Sequence, residues 1–460
     1  MRPSNIRMPA VTVIGGGLSG AEAAWQAAEA GAEVLLYEMR PAVRTPAHQT
    51  SSLAELVCSN SLKSLDVTTA SGLLNAELSR LGSVILEVAK RHAVPAGTAL
   101  AVDREAFAAE VTALLAAHPR ITIVREEVKA LPPDRPCIVA TGPLTSENLA
   151  ENLCALFACY LGEAERRPGL TPAATPQARL FFYDAISPIL AADSVDRTVA
   201  FAASRYGKGG EDYLNCPFTE AEYTAFWEAL RSADLYPLHP FEKTQFFEGC
   251  LPVEELAGRG KEALCYGPMK PVGLADPRTG RAPYAVVQLR REDAAGAMYG
   301  LVGFQTRMRR GEQQRVFRMI PGLREAEFLR YGSIHRNTYI ASPLLLLPTL
   351  QFRGDGRLLF AGQLIGVEGY TESVGAGLLA GLNAGRLLAG APPVVPPPET
   401  LLGAVLRYVT EVAPPGFAPM NVNFGLLPPL PRPIRERRKR VEALAERSLA
   451  VLEDWQRFLD

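Results

Sequence analysis

The 460 residues carry 48 lysines and arginines against 49 aspartates and glutamates, a formal charge of −1, with 48% hydrophobic and 21% charged residues. That balance excludes a disordered polyelectrolyte and any wholesale attraction to anions, so an anionic partner has to be met by a local basic patch. The length predicts two or three domains at roughly 100–200 residues each.

The first residues, MRPSNIRMPAVTVIGGG, run from two arginines through a short apolar stretch straight into a glycine turn, without the small-residue cleavage site of a secretory signal. No uncharged apolar run approaches the ~20 residues of a membrane span, and the stretch from Thr338 to Phe352 is broken by Pro343 and Pro348. A cytoplasmic location is expected. The cysteines (Cys58, Cys137, Cys154, Cys159, Cys216, Cys250, Cys265) are odd in number and form no CxxC, and the five histidines show no HxxxH spacing. Reduced thiols and no metal site are the expectation.

From Ala10 to Glu38 the pattern predicts strand, turn, helix and strand: AVTVI, GGGLSG, AEAAWQAAEAG and AEVLLYE. A helix over Arg104–Ala117 and strands in ITIVREEV and PCIVATG follow, so the first 180 residues read as α/β. From Phe181 to Gly332 the texture changes to short β-like runs, such as YAVVQLRRED, among charged helical stretches such as TEAEYTAFWEALRSA. RLLFAG (Arg357–Gly362) then restores the buried-strand pattern, with a glycine-studded helix over Ser373–Ala389. After the proline-rich APPVVPPPE a terminal helix is predicted over Ile434–Phe458. This order predicts a discontinuous α/β domain (residues 1–180 and 333–460) with an α+β domain (181–332) inserted.

In GGGLSG, Gly15 permits the turn after the strand, Gly17 lets the backbone approach a pyrophosphate, and Gly20 lets the helix pack on the strand. Gly16, Leu18 and Ser19 complete the loop, and Glu38 ends the second strand where an adenosine ribose would lie. The motif alone does not separate FAD from NAD. A second signal is RLLFAGQLIGVEGYTESVGAG, where Gly362, Gln363 and Gly375 sit about a helix start that could approach a flavin and stabilise negative charge on it. The ordinary alternative for that helix is tight packing. The two halves together favour FAD.

With those residues in view, the sequence resembles the folate-dependent, FAD-containing tRNA uracil-5 methyltransferases, which modify the T-loop uridine. The resemblance rests on TPAHQTSSLAELVCSNSLKS, VPAGTALAVDREAF, SRYGKGGEDYLNCPFTEAEY, FEGCLPVEELAGRGKEALCYGPMKPVGL and GQLIGVEGYTESVGAG. It implies a Rossmann-like FAD domain of the glutathione-reductase type, 5,10-methylenetetrahydrofolate as one-carbon donor, and NAD(P)H as reductant. The methylene would travel by way of the flavin to C5 of the uracil, and the reduced flavin would supply two electrons. No second GxGxxG occurs, so the nicotinamide is expected to bind transiently over the flavin.

The same resemblance puts a nucleophile on Cys250, in FEGCLPVEE, and a supporting role beside the flavin on Cys58. On general grounds any of the seven cysteines, Cys216 included, is more often a buried small hydrophobe. Glu248, Glu254 and Glu255 would raise the Cys250 thiol unless a basic group from elsewhere offsets them. For tRNA phosphates the candidates are Arg307, Arg309, Arg310, Arg315 and Arg318, and a second run at Arg435, Arg437, Arg438, Lys439 and Arg440. A solvated helix face is the ordinary alternative for each run. Tyr339, Tyr370, Phe246 and Phe247 are candidate platforms for a flipped base.

Between Thr145 and Phe181 the sequence departs from the family pattern, and Cys154–Gln177 reads as a surface-looping insertion without chemistry. Three other readings compete. A related flavoprotein family that builds the wobble-uridine modification shares the glycine turn and the GVEGY-like segment but not FEGCLPVEE. A flavin disulfide reductase would use Cys154 and Cys159, which lack a redox-loop context. A non-catalytic, FAD-containing RNA-binding protein would leave Cys250 unreactive.

Overall fold

The computed structural model describes residues 10–133, 136–165, 179–207, 209–237, 251–413 and 417–459. Its first sheet runs, in spatial order, Gln351–Phe352, Asp355–Phe360, Cys137–Val139, Ala10–Ile14, Glu33–Tyr37 and Ile121–Val124. Every pairing is parallel except the Gln351–Phe352 edge. Parallel strands are covered on both faces and so carry continuous apolar runs; Val11, Val13, Leu36, Ile138 and Leu359 are fully buried. Strand order and crossovers are those of a Rossmann-like nucleotide-binding domain.

Helix Leu18–Glu29 lies directly on helix Tyr370–Leu388. The second helix brings glycines to that contact at four-residue intervals, on one face. A methyl on Gly377 would come within 2.2 Å of the Ser19 carbonyl oxygen, and one on Gly381 within 2.3 Å of the Ala23 carbonyl oxygen. Most of the glycine studding therefore serves close helix packing, and the cofactor-facing glycines precede the helix.

The second sheet is antiparallel, in the order Phe201–Ala202, Tyr213–Phe218, Ala285–Arg291, Met298–Leu301, Ile189–Ala191 and Phe328–Arg330. Helix Glu220–Arg231, opened by a capping box between Thr219 and Glu222, packs on it through Tyr223 and Phe226. Phe304, Phe317 and Met308 complete a separate apolar core. Where the chain passes between the two sheets, Arg179–Ile186 pairs antiparallel with Ser333–Ile340.

Two expectations change. Residues from Cys154 do not begin a loop: they continue a helix, Glu147–Glu165. Its Phe157 is buried against Phe352 and Phe360 at ring distances of 5.7 and 5.5 Å. The apolar i, i+4 pair Leu153 and Phe157 is the local reason. The remainder of that stretch, 166–178, lies outside the described residues. Cys154 and Cys159 share the helix, and neither is in a disulfide. Beyond the proline-rich stretch, helix Leu401–Glu411 precedes the terminal helix Arg437–Leu459. Among the described residues no helix is long and apolar enough to cross a membrane, and no cluster of metal-ligating side chains occurs.

Candidate functional site

The glycine turn opens onto a cleft of about 790 Å³, mouth included, lined by Gly17, Leu18, Ser19, Glu38, Gly362 and Gln363 among others. Gly15 adopts φ +104°, and a methyl there would meet the Ala140 carbonyl oxygen at 2.6 Å. One on Gly20 would meet the Gly15 carbonyl oxygen at 1.8 Å, so the helix start can lie on the strand only with glycine. Gly17 faces open space. Helix Leu18–Glu29 has no side-chain cap, and the buried Ser19 hydroxyl has no hydrogen-bond partner. An uncapped helix N-terminus, an orphaned hydroxyl and an open glycine form a seat for a pyrophosphate. Gly362, at φ +77°, crosses close over Ser19 on the far wall. These residues fit FAD. Gly375 does not line the cleft: a methyl there would strike Leu402 at 2.7 Å, so its small size serves packing.

Glu38 does more than was expected of it. Its Oε2 accepts from Gly16 N at 3.0 Å and from Arg40 Nη2 at 3.1 Å, and its Oε1 accepts from Arg40 N and Arg40 Nε, both at 2.9 Å. Burial works to raise this carboxyl, but the Arg40 hydrogen bonds and charge outweigh it and hold it below the usual range. Arg40, itself buried, continues to Glu55 at 3.0 Å. Burial, with the Arg40 charge, pushes His48 down to about 4, so this cleft residue is neutral near pH 7. Arg40 and Glu55 were not anticipated, because nothing in PAHQTSSLAE marks a loop that folds back on the second strand.

A second, narrower cleft lies where the loop of Cys58 meets the second sheet. It measures about 520 Å³ with its mouth, and its walls include Cys58, Ser59, Arg104, Arg290, Glu292 and Gln305. The Tyr370 hydroxyl joins the two clefts, since it lines the first and accepts from Cys58 N at 2.8 Å and Ser59 N at 3.2 Å. Burial, and then the Cys58 thiol, push Tyr370 above the ordinary tyrosine range. Arg104 donates to the Leu56 carbonyl at 2.5 Å and to Glu292 at 2.6 Å. One guanidinium thus holds the Cys58 loop against the second sheet.

Cys250, Glu248, Phe246 and Phe247 lie outside the described residues. Nearby, Glu255 pairs with Arg307 at 2.5 Å, and Glu254 accepts from Arg307 N at 2.7 Å. Burial raises Glu254. Cys216 is fully buried in a strand, and burial pushes its thiol up to about 12, so it is a core residue. Tyr339 is buried edge-on to Phe417 and offers no face to a base.

The first arginine cluster is largely neutralised. Arg307 is committed to Glu255, Arg309 pairs with Asp234 at 3.0 Å, and Arg315 pairs with Glu312 at 2.6 Å. Arg310 lies over the Tyr331 ring. At the start of the terminal helix, Arg438 pairs with Glu442 and Lys439 with Glu436. Arg437 and Arg440 have no ion pair among the described residues and are exposed.

The model of a family described as Glucose inhibited division protein A matches residues 10–392. A methylenetetrahydrofolate–tRNA-(uracil-5-)-methyltransferase TrmFO of Heliobacterium modesticaldum is 55% identical over 443 residues, 96% of this chain and 97% of that protein. One of Symbiobacterium thermophilum is 56% identical over 451 residues, 97% of each chain. Among solved structures, GidA of Aquifex aeolicus is similar with a TM-score of 0.64 and 16% identity, covering 96% of this chain and 76% of that one. That structural likeness speaks to the fold.

Proposed function

The chain belongs to the methylenetetrahydrofolate–tRNA-(uracil-5-)-methyltransferase family, and from that premise we propose that it methylates C5 of a tRNA uridine, the T-loop uridine, with a folate-borne methylene. The observation that carries this reading is likeness to proteins so named along nearly the whole chain. The wobble-uridine reading is less well supported, because relatives named methylenetetrahydrofolate–tRNA-(uracil-5-)-methyltransferase are 55% and 56% identical over 96% and 97% of this chain.

FAD, seated on the glycine turn, would supply the two electrons that convert a methylene into a methyl group, replenished by NAD(P)H. The roles of the residues follow from their surroundings. The Leu18–Gly20 helix start and the Ser19 hydroxyl would hold the pyrophosphate, and Glu38 braces the turn through Gly16 N and Arg40. Tyr370 fixes the Cys58 loop by accepting two backbone N–H groups. Cys250 is the proposed nucleophile at C6, which makes C5 enolate-like. Arg307 offsets Glu255, one of the carboxylates that would otherwise raise the Cys250 thiol. Residues 1–180 and 333–460 form the cofactor domain and 181–332 the substrate domain.

The test is nucleoside analysis of unmodified tRNA incubated with the purified protein, methylenetetrahydrofolate and NAD(P)H. The expected result is 5-methyluridine, dependent on both cosubstrates. Modification of an anticodon uridine instead, with the T-loop untouched, would support the wobble-uridine reading.

A further inference from the structure

Among the described residues, four residues other than glycine hold a left-handed φ: Ala54, Lys63, Tyr206 and Leu350. Such a backbone is strained in any residue with a β-carbon and has to be compensated by its surroundings. Ala54 and Leu350 are fully buried, and Lys63 is held by Glu372 at 3.0 Å. Tyr206, at φ +58°, is 64% exposed, so strain and exposure coincide at one aromatic ring. The ring is nevertheless held. Tyr206 N donates to the Gly273 carbonyl at 2.9 Å, and a methyl on Gly273 would stand 2.9, 2.9 and 3.0 Å from the ring's Cε1, Cζ and Cδ1. Near-equal distances to three successive ring carbons put that methyl over the face of the ring, not its edge. One face therefore rests on Gly273, which leaves the opposite face to account for the exposure. Beside the ring, Arg205 donates from Nη1 to the Val272 carbonyl and from Nε to Gln288 Oε1, both at 2.8 Å, and no carboxylate pairs with it among the described residues. Lys270, three residues before Gly273, is exposed. Gln288 and Arg290 alternate on strand Ala285–Arg291 and so share a face, and Arg290 lines the cleft beside Cys58. The ring thus stands at the outer end of a row, Arg205, Gln288 and Arg290, that runs into the cleft.

We propose that Tyr206 is a stacking platform for an RNA base, one that neighbours the target uridine in the T-loop. To expose C5 of a uracil the enzyme has to take that base out of its stack, and the neighbouring base then loses a partner. Unstacked bases are received on aromatic faces, which accept any base, while cations hold the backbone. A face pinned from behind meets that need at low entropic cost, because the ring is ordered before the RNA arrives. Arg205 without a carboxylate, and the exposed Lys270, suit a polyanion better than an apolar protein surface. Tyr339 is buried and the Tyr370 hydroxyl is committed to the Cys58 loop, whereas Tyr206 presents a free face.

This inference rests on the tRNA reading above, and the test keeps the two apart. The FAD-loaded protein is titrated with unmodified tRNA transcript and with transcripts made abasic at one T-loop position at a time. Tyr206→Phe keeps the ring and should bind intact tRNA as the unaltered protein does. Tyr206→Gly removes the ring and accepts the left-handed φ without strain, and Tyr206→Asn tolerates it. Each should bind intact tRNA about 5- to 100-fold more weakly, the loss of one base–aromatic stack. FAD content and the KM for methylenetetrahydrofolate should stay unchanged. At one abasic position the two losses should not add: the transcript that binds the unaltered protein more weakly should bind the ring-less variants no more weakly than intact tRNA does. Unchanged tRNA affinity in the ring-less variants overturns the proposal, and a change in their oligomeric state alongside it would give the ring to a protein contact instead. Full additivity at every loop position overturns it too, as does a Tyr206→Phe variant as weak as the ring-less ones. No binding of tRNA by the unaltered protein would instead take down the tRNA reading itself.

Discussion

Glu38 is the residue on which the cofactor turn depends, because one carboxylate satisfies the Gly16 N–H and most of the Arg40 guanidinium. Glu38→Ala would free the turn and leave a buried arginine with Glu55 as its remaining ionic partner. We expect FAD to be lost on gel filtration and stability to fall by about 1–3 kcal/mol; a variant that keeps its yellow colour through the column would contradict this. Cys250→Ala is expected to abolish methyl transfer with FAD still bound, and full activity in that variant would remove the nucleophile assignment. At this scale the sequence was legible where geometry is local. The roles of Gly15, Gly17 and Gly20 follow from the turn itself. The Arg40–Glu55 and Arg104–Glu292 pairs join residues 15 and 188 apart in the chain, and no local pattern announces them.

Helix Tyr370–Leu388 has two jobs along its length. Its start, after Gly362 and Gly369 at positive φ, faces the cofactor side, and its middle packs glycine against the backbone of helix Leu18–Glu29. Alanine at Gly381 would improve helix propensity by roughly 1 kcal/mol. The contact at 2.3 Å to the Ala23 carbonyl makes the net effect unfavourable, by about 1–3 kcal/mol of overpacking. Gly381→Ala should therefore lower the midpoint of urea unfolding, and a raised midpoint would show that the helices can part without cost. The period of apolar residues predicted helix Arg104–Ala117 over the span it occupies. It does not distinguish cofactor glycines from packing glycines such as Gly375, which packs against Leu402, nor does it reveal helix Leu401–Glu411 behind the proline-rich stretch.

Across the whole molecule, Glu77 ties distant parts of the chain together. It accepts from Leu401 N at 2.8 Å and Leu402 N at 2.9 Å, and it meets the Ser448 hydroxyl of the terminal helix at 2.5 Å. Burial raises this carboxyl from 4.5 to about 7. A folded-state pKa above the unfolded one means its contribution is full below pH 4.5 and is lost as pH rises toward 7. Glu77→Gln should remove that part of the pH dependence, on the order of 1–3 kcal/mol between the two limits. Unfolding midpoints measured across this range check it, and an unchanged profile would contradict it.

Charge gives a second prediction at the same scale. Arg437→Ala and Arg440→Ala should each lower the salt slope of tRNA binding by about one, whereas Arg307→Ala should leave it unchanged because Arg307 serves Glu255. An altered slope for Arg307→Ala would place that cluster on the RNA. Equal-looking arginine runs in the sequence separate only when their acidic partners, Asp234, Glu255 and Glu312, are brought beside them by the fold.

In the proposed reaction a folate-borne carbon becomes the methyl group of a tRNA uridine. Mass analysis of tRNA nucleosides after reaction with methylenetetrahydrofolate dideuterated at the methylene, in the presence of NAD(P)H, tests it most directly. The expected product is 5-methyluridine whose methyl carries two deuterium atoms, with tetrahydrofolate released. An undeuterated methyl, or tRNA without 5-methyluridine, would contradict it.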